Sequence, residues 1–313
     1  MYGIHTLSWT GPMRFQNLDL NLLAALDKLI RLQSVSRAAD ELAITQSAMS
    51  NALNRLRQYF DDPLLVQVGR RMELTPRAEA LAGPVRDILV RIEAAVATPP
   101  DFDPATSTRN VALMVSDYSL ATVVPPFVQR IAREAPAMRL TIKPQRTYPG
   151  LQLERGDTDL LIAPRVYSSP DHPSEALLAD PMVCVLDAAN PAARHLDLAT
   201  FSELQHVGME PPVGGQSYAA HLLRDAGVSV TMAVTTFSFS SLGDLVRGTD
   251  RIALVQQRLA RRMAQEGGGL AVVDPPVPLA PLEQVVQWHS MRDTDPALVW
   301  LRRKLAEVVA DNS

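Results

Sequence analysis

Apolar residues recur at helical spacing in three short segments near the start of the chain. The second segment, SRAADELA, has Ser36 as its predicted N-cap, and the third, TQSAMSNALNRLRQYF, begins at the predicted N-cap Thr45. Because only a few residues separate these two helices, the pattern predicts a helix-turn-helix. The apolar positions of the first segment are Leu18, Leu22, Leu26, Leu29 and Ile30.

A small hairpin and a long helix are predicted next. Residues 64–68 and 72–74 are typical of two strands around a turn at 69–71, and Thr75 followed by Pro76 is a strong helix start. We predict a dimerisation helix over residues 76–97, bent at Pro84. The alternative is a helix that packs only on its own domain. The apolar seam available to a coiled-coil partner is Ala78, Leu81, Val85, Ile88, Ile92 and Ala95.

The pattern changes after residue 97. Residues 98–108 are rich in Pro, Asp, Ser and Thr, which predicts a hinge. From residue 109 strands alternate with helices, which favours open, mostly parallel α/β sheets that bind ligands beyond the carboxyl ends of their strands. The predicted strands are 110–115, 139–143, 159–163, 182–186, 230–234, 252–255 and 285–288. The predicted helices are 119–134, 150–155, 215–225, 242–247 and 296–309.

Composition adds little that is specific. The net charge is −4, and residues 1–97 hold 11 Lys and Arg against 10 Asp and Glu, so no overall basic field indicates nucleic acid. The single cysteine, Cys184, excludes an intramolecular disulfide and lies in an apolar run that predicts burial. No apolar run is long enough to cross a bilayer, and the first residues lack the features of a signal peptide. We therefore expect a cytoplasmic protein with no membrane partner, whose residues 1–14 form a disordered tail or precede a start at Met13.

The sequence contains little that indicates an enzyme. The run from Gly215 to Ala219 approximates the G-x-S-x-G nucleophile motif, but it ends in alanine and no convincing strand precedes it. A helix start explains Ser217 more simply. The six histidines show no metal-ligand spacing, and the glycine-rich phosphate motifs do not occur. The sequence predicts no enzymatic activity, no metal site and no cofactor.

The polar face of the third helix indicates a different function. Glutamine and asparagine side chains pair with adenine and arginine pairs with guanine, whereas an acidic residue would be repelled by the phosphates. An acid-free polar face therefore predicts a recognition helix in the major groove, with Arg70 and Arg71 at the hairpin tip contacting the backbone or minor groove. The alternative is a helical bundle whose exposed face lacks glutamate by chance. The face consists of Gln46, Ser47, Ser50, Asn51, Asn54 and Arg55.

The run SVSRAADELAITQSAMSNALNRLRQYFDDPLLVQVGRRMELTPRAEALAGPV resembles the N-terminal domain of the LysR-type transcriptional regulators. The segments RNVALMVSDY, LERGDTDLLIA, FSELQHVGM and VVQWHSMRDTDPALVWLRRKL resemble the effector domain of that family. They are especially similar to its branch of nodulation and aromatic-catabolism regulators.

The resemblance implies an α+β multidomain protein with defined boundaries. A winged helix-turn-helix over 15–75 is followed by the dimerising linker helix at 76–97, the hinge at 98–108, and a two-lobed α/β effector domain of the periplasmic-binding-protein type at 109–313. Lobe 1 would comprise 109–180 and 285–313 and lobe 2 would comprise 181–284, with crossings near Asp180 and Gln284. The implied partners are double-stranded promoter DNA, a small-molecule effector, RNA polymerase, and further copies of the chain in a homodimer or homotetramer.

The polar face and the resemblance together give two sets of candidate residues. Ser116 and Thr236 equally suit helix caps, Phe237 suits a core position, and His206 suits a buried histidine with its hydrogen bonds satisfied. The candidate DNA contacts are Ser36, Arg37, Thr45, Gln46, Ser47, Ser50, Asn51, Asn54, Arg55, Arg70 and Arg71. The candidate effector contacts are Ser116, Asp117, Thr147, His206, Thr236, Phe237 and Ser238.

Two positions depart from the family pattern. Ala43 stands where a residue that favours a turn is frequent, and Asn51 stands where arginine is common. The sequence thus predicts a transcriptional regulator controlled by a small, aromatic effector between the lobes. The alternative is a helix-turn-helix regulator without an inducer, whose α/β domain serves only oligomerisation or partner binding.

Overall fold

The structure is a computed structural model that describes residues 19–69, 71–97, 102–145, 149–154, 156–210 and 217–312. The predicted tail at 1–14 and the candidate residues Arg70 and Thr147 lie outside these ranges. The chain divides between Ala97 and Thr98 into two compact units, and each is described by itself.

The first unit is a helical bundle with a hairpin. The N-cap side chains of Asp19 and Thr45 accept hydrogen bonds from the first turns of their helices, as the sequence predicts for Thr45. The elements are α1 (Leu20–Leu32), α2 (Val35–Glu41), α3 (Gln46–Phe60), β1 (Leu65–Val68), β2 (Arg71–Leu74) and α4 (Pro76–Ala97).

Helix α2 begins earlier than predicted. Its N-cap is Ser34, whose Oγ accepts from the amide of Arg37 at 3.4 Å. The prediction of Ser36 as the cap is wrong, because Ser36 is already inside the helix, with its hydroxyl 3.2 Å from that of Ser34.

The core of the first unit uses half of the seam predicted for dimerisation. Ala78 and Val85 of α4 are buried among residues of α1 and α3 such as Leu26 and Met49. Ile88, farther along α4, is 43% exposed. The first turns of the seam therefore stabilise the unit itself, because α4 packs along α1, while Ile88 remains exposed and Ala95 lies outside the side chains that the structure describes.

The second unit contains two five-stranded sheets. Each sheet combines parallel and antiparallel pairings, so the expectation of mostly parallel sheets is wrong. The strands are β3 (Asn110–Val115), β4 (Arg139–Pro144), β5 (Leu160–Pro164), β6 (Ser174–Asp180), β7 (Met182–Asp187), β8 (Gln205–Met209), β9 (Thr231–Thr236), β10 (Ile252–Gln256), β11 (Leu270–Val273) and β12 (Leu282–Gln287). The α-helices are α5 (Asp117–Thr122), α6 (Val124–Glu134), α7 (Pro149–Glu154), α8 (Leu198–Glu203), α9 (Tyr218–Asp225), α10 (Leu242–Val246), α11 (Gln257–Gly267) and α12 (Pro296–Asp311).

The two sheets define two lobes. Lobe 1 has the strand order β4-β3-β5-β12-β6, and lobe 2 has the order β11-β7-β10-β8-β9. The chain crosses to lobe 2 between Asp180 and Met182. It returns before Leu282, which already pairs with Asp180 in lobe 1. The return therefore precedes the crossing predicted near Gln284, because β12 begins two residues earlier.

Three further sequence expectations need correction. The predicted helix 119–134 is two helices, because Pro125 has no amide hydrogen to continue the ladder from α5. The strands β6, β8 and β11 and the helices α8 and α11 were not predicted. The predicted hinge 98–108 includes Phe102, whose ring packs 5.8 Å from the Trp300 ring in lobe 1. Because of that contact, the second unit begins before residue 109.

Among the described helices, none combines the length and the apolar character that a bilayer span requires.

Candidate DNA-binding face and interlobe cleft

Helix α3 presents the predicted polar face to solvent. Its opposite side buries Met49, Leu53 and Leu56 in the core of the first unit, and that packing fixes which residues point outward. Ser50 is half-buried at the edge of the face. The exposed members are Gln46, Ser47, Asn51, Asn54 and Arg55, together with the N-cap Thr45.

Two arginines on α3 have different surroundings. Arg57 donates from Nε to the carbonyl of Pro63 at 2.9 Å and from its guanidinium to the carbonyl of Leu65 at 3.1 Å. It therefore fixes the start of the hairpin. Within the part of the chain that the structure describes, no hydrogen bond or ion pair holds the exposed side chain of Arg55. Arg55 is thus a cation available to an external partner.

The turn between α2 and α3 carries backbone strain. Ala43 has φ +52°, in the left-handed region where an L-residue with a β-carbon is disfavoured. Alanine stands here at a position where a residue that favours a turn is frequent in the family that the sequence resembles. The conformation is held by the amide of Ile44, which donates to the carbonyl of Ala39 at 3.1 Å.

The remaining DNA-contact candidates lie on α2 and on the hairpin. Ser36 and Arg37 are exposed on α2, and Arg71 is exposed at the first position of β2, paired with Val68 across the turn. Gly69 in that turn has φ +62°, a conformation that glycine adopts without steric cost.

Five of the described candidate effector residues lie at the carboxyl ends of β3 and β9, which the Asp117–Ser238 contact brings together. Ser116 follows β3 and is the N-cap of α5, accepting from the amide of Ser119 at 3.2 Å. Thr236 ends β9, and its hydroxyl lies 3.3 Å from that of Ser241. Ser116 therefore has the capping role that the sequence left open as an alternative, whereas Thr236 caps none of the described helices: the N-cap of α10 is Ser241, and Thr236 contacts the loop after β9.

Asp117 and Ser238 contact each other across the lobes. The Ser238 hydroxyl donates to Asp117 Oδ2 at 2.7 Å, and the amide of Ser240 donates to the same oxygen at 3.1 Å. Phe237, which directly precedes Ser238, is 82% exposed, so it is not a core residue. The sequence grouped Asp117 with Ser238 as effector contacts but gave no sign that they would pair.

A buried polar contact beside this pair links the lobes through Asp180, the last residue of β6 in lobe 1. The hydroxyl of Tyr118 donates to Asp180 Oδ2 at 2.6 Å, and both residues are 1% exposed. Burial raises the pKa of both Asp180 and Tyr118. Asp180 also accepts from the amide of Arg258 at 3.2 Å and so caps the start of α11.

The returning strand β12 also makes a buried contact with α5, within lobe 1. The Ser119 hydroxyl donates to Gln284 Oε1 at 2.9 Å, and both side chains are buried. The sequence did not single out Tyr118 or Ser119. The one available signal was the placement of the polar residues Asp180 and Gln284 near the predicted crossings.

His206 lies away from the cleft surface. It is 2% exposed in β8, its Nε2 lies 2.8 Å from the carbonyl of Phe201, and burial lowers its pKa. The Phe201 ring packs edge-on against the imidazole, 4.7 Å away. This placement favours the alternative of a buried structural histidine over the predicted effector contact.

The residues considered for reaction chemistry have structural roles. Ser217 is the N-cap of α9, accepting from the amide of Ala220 at 3.2 Å. The strand β8, which the sequence did not predict, ends at Met209, well before that serine. Cys184 is buried, and burial raises its pKa to about 12, so its thiol stays protonated at neutral pH. Over the described ranges, no group of three or more His, Cys, Asp or Glu side chains is arranged to hold a metal ion.

Two protein families match the chain. Residues 20–79 match the family described as bacterial regulatory helix-turn-helix protein, lysR family, and residues 105–310 match the LysR substrate binding domain. The first match spans α1 to the start of α4, and the second spans both lobes.

Curated relatives and solved structures agree with these matches. The chain is 38% identical to nodulation protein D of Bradyrhizobium sp. (strain ANU 289), over 94% of this chain and 88% of the relative. It is 38% identical to nodulation protein D 1 of Bradyrhizobium elkanii, over 94% of each. A probable transcriptional regulator from Pseudomonas aeruginosa is 28% identical, with a TM-score of 0.63 over 94% of this chain and 98% of that one. Full-length OxyR from the same organism, 16% identical with a TM-score of 0.72 over 94% and 95% of the two chains, shows the fold alone.

Proposed function

The chain belongs to the LysR family of DNA-binding transcriptional regulators, and from this we propose that α3 reads promoter DNA while a small molecule between the lobes controls the output. The first part, recognition of promoter DNA, is supported by the exposed, acid-free face of α3. The second part, control by a small molecule, is supported by the polar residues at the carboxyl ends of β3 and β9, which meet between the lobes.

The side chains of α3 match the chemistry of the major groove. Gln46 and Asn51 offer paired donor and acceptor groups to adenine, and Arg55 offers a free guanidinium to guanine or phosphate. Packing of Met49 and Leu56 fixes the outward direction of these side chains. The face is therefore preorganised and needs no rearrangement of the helix to bind DNA.

The cleft offers polar groups from both lobes. Ser116 and Asp117 follow β3 of lobe 1, and Thr236 and Ser238 lie at the end of β9 of lobe 2, where the Ser238–Asp117 hydrogen bond brings the two strand ends together. Both lobes therefore contribute groups that could contact one bound molecule. The match to the LysR substrate binding domain supports a small-molecule effector, and we propose an aromatic one.

The partners follow from the family. Exposed Ile88 on α4 supports a homodimer through the later turns of that helix. We propose a tetramer on partly palindromic sites, contact with RNA polymerase at the promoter, and action in the bacterial cytoplasm, where promoter DNA lies.

A selection of bound genomic DNA tests whether the protein recognises specific promoter sites. Genomic fragments retained by the full-length protein are sequenced, and the affinity for one retained duplex is measured at several salt concentrations. We expect a shared, partly palindromic site and a steep loss of affinity with salt, because phosphate contacts release counterions. Retention without sequence preference would contradict the proposal.

A thermal-shift screen with aromatic acids and chlorinated phenols tests the second part. An effector raises the midpoint of unfolding, since it binds only the folded state, and it also changes the affinity for the selected duplex. Stabilisation by no compound in the screen would favour a regulator whose second unit only oligomerises.

A further inference from the structure

Three consecutive residues at the start of α5 bind three different places in the second unit. Asp117 accepts from Ser238 and Ser240 in lobe 2, Tyr118 donates to Asp180 at the first crossing, and Ser119 donates to Gln284 on the returning strand. Helix α5 follows β3 of lobe 1. One short helix thus touches both chain crossings and the opposite lobe.

The contact between Tyr118 and Asp180 is buried and would be costly to break. Its ring packs among lobe 2 core residues, including Val183 and Leu259, although α5 follows a strand of lobe 1. Asp180 holds the Tyr118 hydroxyl and the first turn of α11 together. Separating them would leave a buried carboxyl group without its donors, which is costly in a nonpolar interior.

Ser119 extends the contacts of α5 to the returning strand. Its hydroxyl and the Gln284 amide are both buried, at 0% and 2% exposure. The guanidinium of Arg262 on α11 also donates to the carbonyl of Ala121 in α5. The Ser119–Gln284 bond therefore fixes α5 to the returning strand within lobe 1, while the Asp180 and Ala121 contacts hold α11 of lobe 2 against this region.

The Asp117 contact, unlike the Tyr118 contact, lies where water can reach it. Asp117 and Ser238 are half-buried, and Ser240 is exposed. The two donors lie on a short segment after β9, an edge strand of its sheet. Water can replace both donors when the lobes part, so this contact can break without leaving a buried group unsatisfied.

We propose that α5 is a pivot and a latch for the effector cleft, with Tyr118–Asp180 as the pivot and Asp117–Ser238/Ser240 as the latch. Asp117 then acts as a positioning residue that holds the β9 side of the cleft closed. When the latch breaks, the cleft opens on that side while the buried Tyr118–Asp180 contact stays intact. This inference rests on the proposed function, because the latch spans the cleft assigned to the effector.

Amide hydrogen exchange at Ser240 tests the latch without effector or DNA. In the full-length protein, Asp117→Ala removes the acceptor, and we expect the Ser240 amide to exchange about tenfold faster or more. Asp171→Ala removes an exposed carboxylate of the same lobe and should leave this rate unchanged. An unchanged Ser240 rate in Asp117→Ala would overturn the latch, whatever the DNA-binding results show.

Distances between the lobes test the pivot. Spin labels at Asp171→Cys in lobe 1 and Glu203→Cys in lobe 2 report the separation, and Cys184 is buried and stays unlabelled. We expect Asp117→Ala to widen the distance distribution modestly, and Tyr118→Phe to widen it further when added to Asp117→Ala. If Tyr118→Phe adds no widening to the Asp117→Ala background, the pivot is wrong. Amide exchange in β3 and β10 verifies that both variants retain the folded sheets.

Discussion

The Thr75 hydroxyl donates to the carboxylate of Asp62 over 2.6 Å, although thirteen residues separate the two in the chain. Asp62 also accepts from the amide of Leu64, and the amide of Thr75 donates to the Leu64 carbonyl at 3.1 Å. Thr75 in turn caps α4 by accepting from the amide of Ala78. The entry of the hairpin and the start of α4 therefore form one hydrogen-bonded joint within the first unit.

Thr75→Val should destabilise that joint. Valine keeps the shape but removes the cap and the partner of Asp62, so we expect a loss of about 1–2 kcal/mol in the stability of the first unit. Native-state hydrogen exchange of α1 and α4 amides measures this loss. Thr75→Ser retains the hydroxyl and should lose less than half as much; unchanged stability in Thr75→Val would show that the hydroxyl contributes nothing to the joint.

Ala43→Gly should stabilise the first unit. Glycine removes the steric cost of φ +52°, and the greater entropy of the unfolded chain offsets part of the gain. We expect a net gain of about 0.5–1 kcal/mol, measured by the same exchange experiment. Ala48→Gly, in the first turn of α3, should have the opposite sign; a loss in both variants would contradict a strained turn.

Substitutions of Ser116 separate capping from effector binding. Ser116→Ala removes the cap of α5 and should lower the stability of the second unit by about 1 kcal/mol without any effector present. Ser116→Asn supplies another capping side chain and should restore most of that stability. If Ser116→Ala leaves stability unchanged in urea unfolding, the cap is energetically unimportant and the residue is free for a ligand role.

His206 should make the second unit less stable in acid. Burial lowers the pKa of His206 in the folded state below its ordinary 6.5, so the unfolded chain binds a proton that the folded chain does not. Stability is therefore fully present above pH 6.5 and declines as pH falls through 6.5 towards the folded-state pKa. One histidine can change the free energy of unfolding by at most about 1.4 kcal/mol per pH unit.

Urea unfolding of the second unit at several pH values between 5 and 8 measures this dependence. His206→Gln should flatten the profile below pH 6.5, while His195→Gln, which removes an exposed histidine, should leave the wild-type slope. Identical slopes in wild type and His206→Gln would contradict a neutral, buried imidazole.

Local sequence patterns predicted the first unit well. The apolar spacing of α3 and its Thr45 cap are determined within one short segment, and both are confirmed. The Ser36 error arose because two serines, Ser34 and Ser36, lie at the start of the same helix and only the backbone decides which one caps it. Helix α11 was missed for a related reason, since its first turn is capped by Asp180, which is distant in sequence.

The cleft was predicted less completely, because its contacts join distant segments. Placing Ser116 and Thr236 after strands was enough to locate them near the meeting of the lobes. No local pattern indicates that Asp117 binds Ser238, 121 residues away, or that Ser119 binds Gln284, 165 residues away. His206 was assigned to the cleft by resemblance, and its position in the middle of a sheet became visible only with the pairing of β8.

Binding of one selected duplex by an α3 triple variant tests the central claim most directly. Gln46→Ala, Ser50→Ala and Arg55→Ala together remove the readout groups from an otherwise unchanged helix, and Arg133→Gln, an exposed arginine of the second unit, is the charge-matched control. Circular dichroism and sedimentation establish that each protein is folded and in the same oligomeric state. We expect the triple variant to bind the selected duplex about 100-fold more weakly or worse, with the control at wild-type affinity. Wild-type affinity in a folded triple variant would show that another surface recognises the DNA.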